Sequence, residues 1–424
     1  MNYLQKQFDA LLKYWPNEDQ ALRDVRLKSF DQFKTLGFPT KKWEEWQFTD
    51  FSAIEKTDYR LSWASDLPQI PEKIPGQIDD CHIVFIINGH YQPQLSNIPD
   101  DVTVVTGLDH FRSNPELYAI NGSKNPFLAL NTSMMNSGVH VLIKPNTVIE
   151  KPMQLIYFMT EFSDPLMNHP RFVFHIGKNA QANIIEHYLG VSTLPYFVNS
   201  VTQVILDENA RLFHVRLQEE SPTGSYTAST HYEVKSNAQL NVTSITSGSQ
   251  LFRHDIQLDL QGKGSEAILN GLSLTNNSQH QDQHVVVNHE NDACQSHQLF
   301  KYILADKSSG VFNGKVVVHK DTKQTDANQS NKNLLLSPKA LMNANPQLEI
   351  YSEDVKCAHG STTGQIDPEA LFYLRSRGID LKKASELITG GFAKDILDSI
   401  KNENVKSYLI NKIESWLESV LNDG

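Results

Sequence analysis

One pattern returns through the middle of the chain, and this periodicity limits the possible folds more than any other feature. Residues 175–186 read HIGKNAQANIIE, 204–215 VILDENARLFHV, 232–243 YEVKSNAQLNVT and 258–269 LDLQGKGSEAIL. Each segment reads as a strand, a polar turn with one small residue, and a second strand. Ala180, Ala210 and Ala238 are spaced by 30 and 28 residues, and Thr147 of LIKPNTVIEKPM fits the same place 33 residues before Ala180. A fixed period of this size, carried by strands without helices between them, signals a solenoid. A β-sandwich also has many short strands, but it does not repeat one Asn-Ala turn at one period. The expectation is a mainly β fold with a parallel β-helix core over 138–353, its rungs stacked through the small residues at a tight corner. The polar tract TKQTDANQSNKN, 322–333, suits a side-chain amide ladder at such a corner or a plain exposed loop.

The flanks read differently. Leu4, Phe8, Leu11, Leu12 and Trp15, then Leu22, Val25, Phe33 and Leu36, follow a helical period, so residues 1–60 form an N-terminal helical region. Residues 61–137 are a linker and a mixed α/β lead-in. The stretch 61–80 is rich in Pro, Asp and Gln without a period, and Ile83–Ile87 before Asn88-Gly89 reads as a short buried strand and a turn. Residues 354–424 read as a C-terminal helical region. Asp367 is a good N-cap, Pro368 suits the first helical position and Gly378 can stop the helix. Two stripes follow: Leu381, Ala384, Leu387 and Ile388, then Val405, Tyr408, Leu409, Ile413, Trp416 and Val420. Such stripes are core, or a surface that docks a partner helix or groove.

Composition excludes several functions. A net charge of −11 disfavours nucleic-acid and anionic-lipid surfaces. The longest apolar runs, of about five residues, fall far short of the ~20 that a membrane helix needs. The N-terminus lacks the pattern of a secretory signal. Three cysteines, Cys81, Cys294 and Cys357, suggest free thiols in a reducing cytoplasm. There is no phosphate-binding GxxxxGK[ST], no GxSxG elbow and no HExxH helix. A carbohydrate-active enzyme is the main enzymatic alternative for a β-helix, but paired carboxylates on successive rungs are missing.

Two places carry possible chemistry. Cys357 and His359, at i and i+2, point the same way in an extended chain and suit iron, zinc or copper. They sit where the β region hands over to the helical one, with His359 after the last strand and before Gly360. The segment 279–297, QHQDQHVVVNHENDACQSH, holds His280, Asp282, His284, His289, Cys294 and His297. The first three would share one strand face as a metal site, although solvated strand residues are the commoner origin of such a pattern.

The wording around Cys357 is more specific than its chemistry. CAHGSTTGQIDPEALFYLRSRGI, 357–379, with Ala384 and Gly391-Phe392, resembles the SufB/SufD family of the SUF iron–sulfur assembly machinery. So do Gly37, Pro39, Lys42, Glu44, Trp46 and Thr49; Pro126-Phe127 and Leu130-Asn131; and Gln324, Thr325, Asp326, Ala327, Gln329, Asn331, Asn333 and Leu334. Within the family, Cys357-Ala358-His359-Gly360 and Phe372-Tyr373-Leu374 favour the SufD type; Ser361 stands where Ala is usual. The resemblance implies a right-handed parallel β-helix between N- and C-terminal α-helical regions. It implies a non-catalytic scaffold subunit that pairs with a SufB paralogue and carries a SufC ATPase on its C-terminal helices. The family's functional histidine maps onto His359, at the SufB interface, where it would meet iron or a nascent cluster; Cys357 is the weaker neighbour. No cofactor is expected on the isolated chain, which could pair with itself. Phe372, Tyr373, Arg375 and Arg377 are the candidate partner contacts, and the end of the solenoid, about Val311 to Glu349, is the expected edge for a homologous subunit. An interaction module with no part in cluster chemistry is the non-enzymatic alternative.

Overall fold

The computed structural model describes residues 2–64, 73–114, 118 and 124–422. Part of the expected linker, residues 65–72, lies outside them. The repeat forms a parallel β-solenoid of about eight turns. Each turn gives one strand to each of two sheets. The first sheet runs from Ser137–Ile143 through Pro170–Ile176, Tyr196–Leu206 and Gly224–Val234 to Leu341–Ile350. The second runs from Met153–Met159 through Gln181–Gly190, Arg211–Glu219 and Gln239–Thr246 to Val355–Gln365. Every neighbouring pair along these ladders is parallel, and one continuous apolar core lies between the sheets.

The corner explains the recurring Asn-Ala turn. Asn146, Asn179, Asn209 and Asn237 have φ between 56° and 60°, continued by Gly264 at 71°, Ala293 at 54° and Gln324 at 56°. Asparagine tolerates this left-handed backbone better than most residues. The next residue turns inward: Ala180, Ala210, Ala238, Ser265 and Cys294 are fully buried and Thr325 nearly so. Cys294 is therefore the small residue of its rung. The amide ladder is here too. Asn209 donates to Asn179 Oδ1 at 2.9 Å and Asn179 to Asn146 Oδ1 at 2.8 Å. The tract 322–333 is not that ladder: most of it lies in the strand Thr325–Leu335, where Gln329, Asn331 and Asn333 point into the core.

The lead-in belongs to the solenoid. His82–Ile87 pairs with Met153–Met159, and Val102–Thr106 runs antiparallel to Ser137–Ile143. Helices cover the outer faces. Asn2–Tyr14, Gln20–Leu36 and Pro126–Met134 form an aromatic-rich layer against the first sheet, with Phe8 stacked on Phe30 at 4.1 Å. Leu381–Asp398 and Glu403–Asn422 cover the second sheet, where Val405, Leu409 and Ile413 pack on Leu217, Ile245 and Leu274. The first helical stripe reads differently from its sequence. Ala384 of the stripe is buried, but Leu381 and Leu387 are exposed, and Thr389, Ala393 and Ile396 face the sheet with Ala384, because close packing favours the small side chains. Among the described residues no helix is long and apolar enough to cross a membrane.

Candidate functional site at the open rung

The strand Val355–Gln365 closes the second sheet and has a neighbour on one side only. This moves two expectations. The β region runs to Gln365 rather than 353, and His359 lies within the last strand rather than after it. It also moves the expected pairing edge. The strand Ser309–Val318, which carries Val311, is paired on both sides, so the free edge is Leu341–Ile350 together with Val355–Gln365. The last strand was hard to recognise because no further rung covers it. KCAHGSTTGQ therefore carries no apolar–polar alternation.

Register fixes the direction of the side chains. Cys357 stacks on Ala327 and His359 on Gln329, both of which face inward. The His359 column continues through Gln298, Leu269 and Val242 to His214. Cys357 is half-buried against the main core, whereas His359 and every residue from Ala358 to Gln365 are exposed. A Cβ at Gly360 would meet nothing within 4 Å, so the imidazole has open space beside it. Ser361 donates to Asn331 Oδ1 at 2.9 Å, and Asn333 donates to the Thr362 carbonyl and Thr363 hydroxyl, each at 3.1 Å. These bonds hold the strand from the far side of His359. The rung is thus held on one edge and free on the other.

The thiols are not prepared as ligands. Burial, and then the Asp326 carboxylate, push the Cys357 thiol up; burial does the same to Cys294, and burial with Asp80 and Asp79 takes Cys81 to about 11. A thiol held in its protonated form is a poor metal ligand. Among the described residues no group of three or more His, Cys, Asp or Glu is placed to hold a metal ion.

The segment 279–297 has another use. His289 and Cys294 are buried in the solenoid and His297 is exposed on the second sheet, apart from His280, Asp282 and His284 on the first. Asp282 accepts from Arg253 at 2.7 Å and from the Thr49 hydroxyl, and lies 3.0 Å from His284 Nε2. Thr49 also meets His280 Nε2 at 2.9 Å, and the Arg253 guanidinium lies 3.8 Å from the centre of the Trp46 ring. Charge of both signs is balanced in this buried clamp. Burial opposes it, but Arg253 and His284 hold the Asp282 carboxyl well below its ordinary value. The clamp fastens Trp46 and Thr49 to the first sheet. Arg253, 26 residues before the segment, carries no sequence signal that joins it to this cluster.

The helix Pro368–Ser376 stands beyond the open rung. Asp367 caps it through Glu369 N at 3.0 Å, and Gly378 has φ of 86°. None of its residues is buried; Phe372 is 73% and Tyr373 57% exposed. Arg375 and Arg377 are exposed as well, and the Arg377 guanidinium lies 5.2 Å from the Tyr373 ring centre.

Residues 158–392 match the family model described as SUF system FeS cluster assembly, SufBD core domain, and residues 4–155 match the SufBD protein N-terminal region. An iron–sulfur cluster assembly SufBD family protein of Synechocystis is 32% identical, over 90% of this chain and 88% of its own. The iron–sulfur cluster assembly protein SufD of Escherichia coli is 30% identical, over 90% of each chain. A chloroplastic protein of Arabidopsis thaliana, ABCI7, is 27% identical over 95% of this chain and 87% of its own.

Proposed function

The chain belongs to the SufB/SufD family of the SUF iron–sulfur cluster assembly system, and from that premise we propose that it is a non-catalytic scaffold subunit. It pairs with a SufB subunit along its open rung, carries a SufC ATPase on its C-terminal helices, and presents His359 where a nascent cluster is built between the two scaffolds.

One observation carries this reading: an ordered, exposed edge strand of eleven residues, Val355–Gln365, with an imidazole in its middle. A free strand edge offers a row of backbone donors and acceptors, and a partner strand satisfies them by joining the sheet. The edge of the first sheet is less suited, because Pro346 lacks an N–H. A homologous solenoid ends in a rung of the same kind, so two such ends join as continued sheets, and two copies of this chain join in the same way when SufB is absent.

His359 can bind iron delivered as cargo. Its exposure makes it a group that acts on something outside its own subunit. Cys357 contributes less, since its thiol is held protonated and half-buried. The remaining cluster ligands come from the SufB side. The ATPase docks on Phe372 and Tyr373, with Arg375 and Arg377 at the rim.

Co-purification with SufB and SufC tests the partner surfaces separately. Removing 379–424 is unsuitable, because it would strip Val405, Leu409 and Ile413 from the second sheet. Phe372→Ala with Tyr373→Ala should release SufC and retain SufB. Proline at Ala358 and at Ser361, tried singly, covers both hydrogen-bonding parities of the edge strand. One should fold and lose SufB; the other should disturb the ladder to Thr325–Leu335. Full retention of SufB by a folded form of each proline variant would refute the edge pairing.

A further inference from the structure

Four arginines are buried among the described residues: Arg26, Arg171, Arg216 and Arg253. Three are paired with carboxylates. Arg26 meets Glu18 at 3.0 Å, Arg216 meets Glu186 at 3.3 Å, and Arg253 meets Asp255 and Asp282, both at 2.7 Å. Arg171 has none. It is 5% exposed, and its contacts are neutral and long: Asn131 Oδ1 at 3.4 Å, the Thr132 hydroxyl at 3.5 Å and Gln203 Oε1 at 3.3 Å. Its Nε has no partner. Charge-assisted N–H···O bonds run at about 2.7–2.9 Å, so the described residues leave this guanidinium short of a strong partner. Burial pulls its pKa down to about 10, which still leaves it charged at neutral pH. A buried, uncompensated charge is costly.

Arg171 is not sealed in. It lines a cleft of about 1080 Å³ between the first sheet and the Trp46 segment. The cleft floor is a column of outward-facing residues that runs from Arg171 through Val201, Ser229, Asp255 and His284. Lys124, also at the cleft, is exposed and makes no ion pair with a described residue, while Asp255 is committed to Arg253. The Tyr118 ring backs the guanidinium at 5.1 Å.

We propose that this cleft binds a small molecule through an oxyanion group, a phosphate or a carboxylate, that completes the coordination of Arg171 with help from Lys124 and Gln203. The site lies on the outer face of the solenoid, remote in sequence and sheet from His359, and does not depend on the role given to the open rung.

The test uses the full chain at constant ionic strength with chloride as reference. Inorganic phosphate and succinate are titrated separately by calorimetry and by thermal shift. Saturable binding of either is expected, and the one that binds identifies the oxyanion. Arg171→Gln should weaken that binding by at least about tenfold, the scale of one lost charge-assisted contact. Because Arg171 lies under the helix Pro126–Met134 and its variant could fail to fold, Lys124→Ala on the exposed rim serves as the second variant, with a loss of about threefold. No saturable response to either anion, or an equal response in folded Arg171→Gln or in Lys124→Ala, overturns the assignment.

Discussion

Replacing Ala210 by leucine should destabilise the solenoid at its tightest corner. Ala210 is fully buried between Ala180 and Ala238, one rung away on either side. Rungs in a parallel sheet are ~4.8 Å apart. Their spacing here is held on both sides, by Arg211 N to the Ala180 carbonyl at 2.8 Å and by Gln239 N to the Ala210 carbonyl at 2.9 Å. Leucine adds three carbons, and the corner cannot open for them without stretching those bonds. Overpacking costs about 1–3 kcal/mol, and a site locked on both sides belongs in the upper half of that range. Heating would show this poorly. A chain of this size has an unfolding entropy of roughly 0.9 kcal/mol/K, so 3 kcal/mol moves Tm by only about 3 °C. Equilibrium urea unfolding, followed by tryptophan fluorescence, is the better assay. Two controls define the cause. Ala210→Ser should cost under about 1 kcal/mol, because Ser265 already occupies the same column. Arg211→Leu, one residue along and exposed, should stay within about 0.5 kcal/mol. An Ala210→Leu chain as stable as the Arg211→Leu control would show that the small-residue column does not set the rung packing.

Arg216→Met should cost about 3–5 kcal/mol in the same urea assay, since it leaves the fully buried Glu186 with only His214 and Tyr188; Glu186→Gln combined with Arg216→Met should recover part of the loss. Docking of the last helix should weaken in acid. Burial would raise the Glu219 carboxyl, yet His187 at 2.6 Å, Lys412 at 3.1 Å and Tyr408 at 2.7 Å outweigh it and hold it at about 2. A depressed carboxyl stabilises fully above its ordinary value of 4.5 and loses that contribution as pH falls towards 2. Fluorescence of Trp416, which lies beside Leu217 and Lys412, should report this change, and Glu219→Gln should flatten it.

The solenoid was legible because its corner has one chemical need, a left-handed residue followed by a small one, and the chain repeats the answer at Asn179-Ala180, Asn209-Ala210 and Asn237-Ala238. The capped helix after Asp367 was legible for the same local reason. Long-range matters were not. Gln329, Asn331 and Asn333 look like a loop because buried amides satisfied by neighbouring strands cannot be told from solvated ones by composition. His280, Asp282 and His284 do share one strand face, but Thr49 and Arg253 engage them, and Cys294 packs at the corner. Ala384 packs as its stripe implies, but Ala393 and Ile396 do the packing expected of Leu381 and Leu387, because the helix approaches the sheet closely. The position of His359 was read one element too late, since an uncovered rung lacks the alternation that reveals a strand. The unpaired Arg171 has no local signature at all.

Cluster assembly by the reconstituted complex with SufB and SufC, read by visible absorbance together with complex yield, tests the role of His359 most directly. The His359 side chain is exposed and makes no hydrogen bond with a described residue, so His359→Ala should leave the yield of complex unchanged and abolish cluster absorbance, while Cys357→Ser should reduce it less. A His359→Ala complex that forms in normal yield and builds clusters at the normal rate would contradict the account.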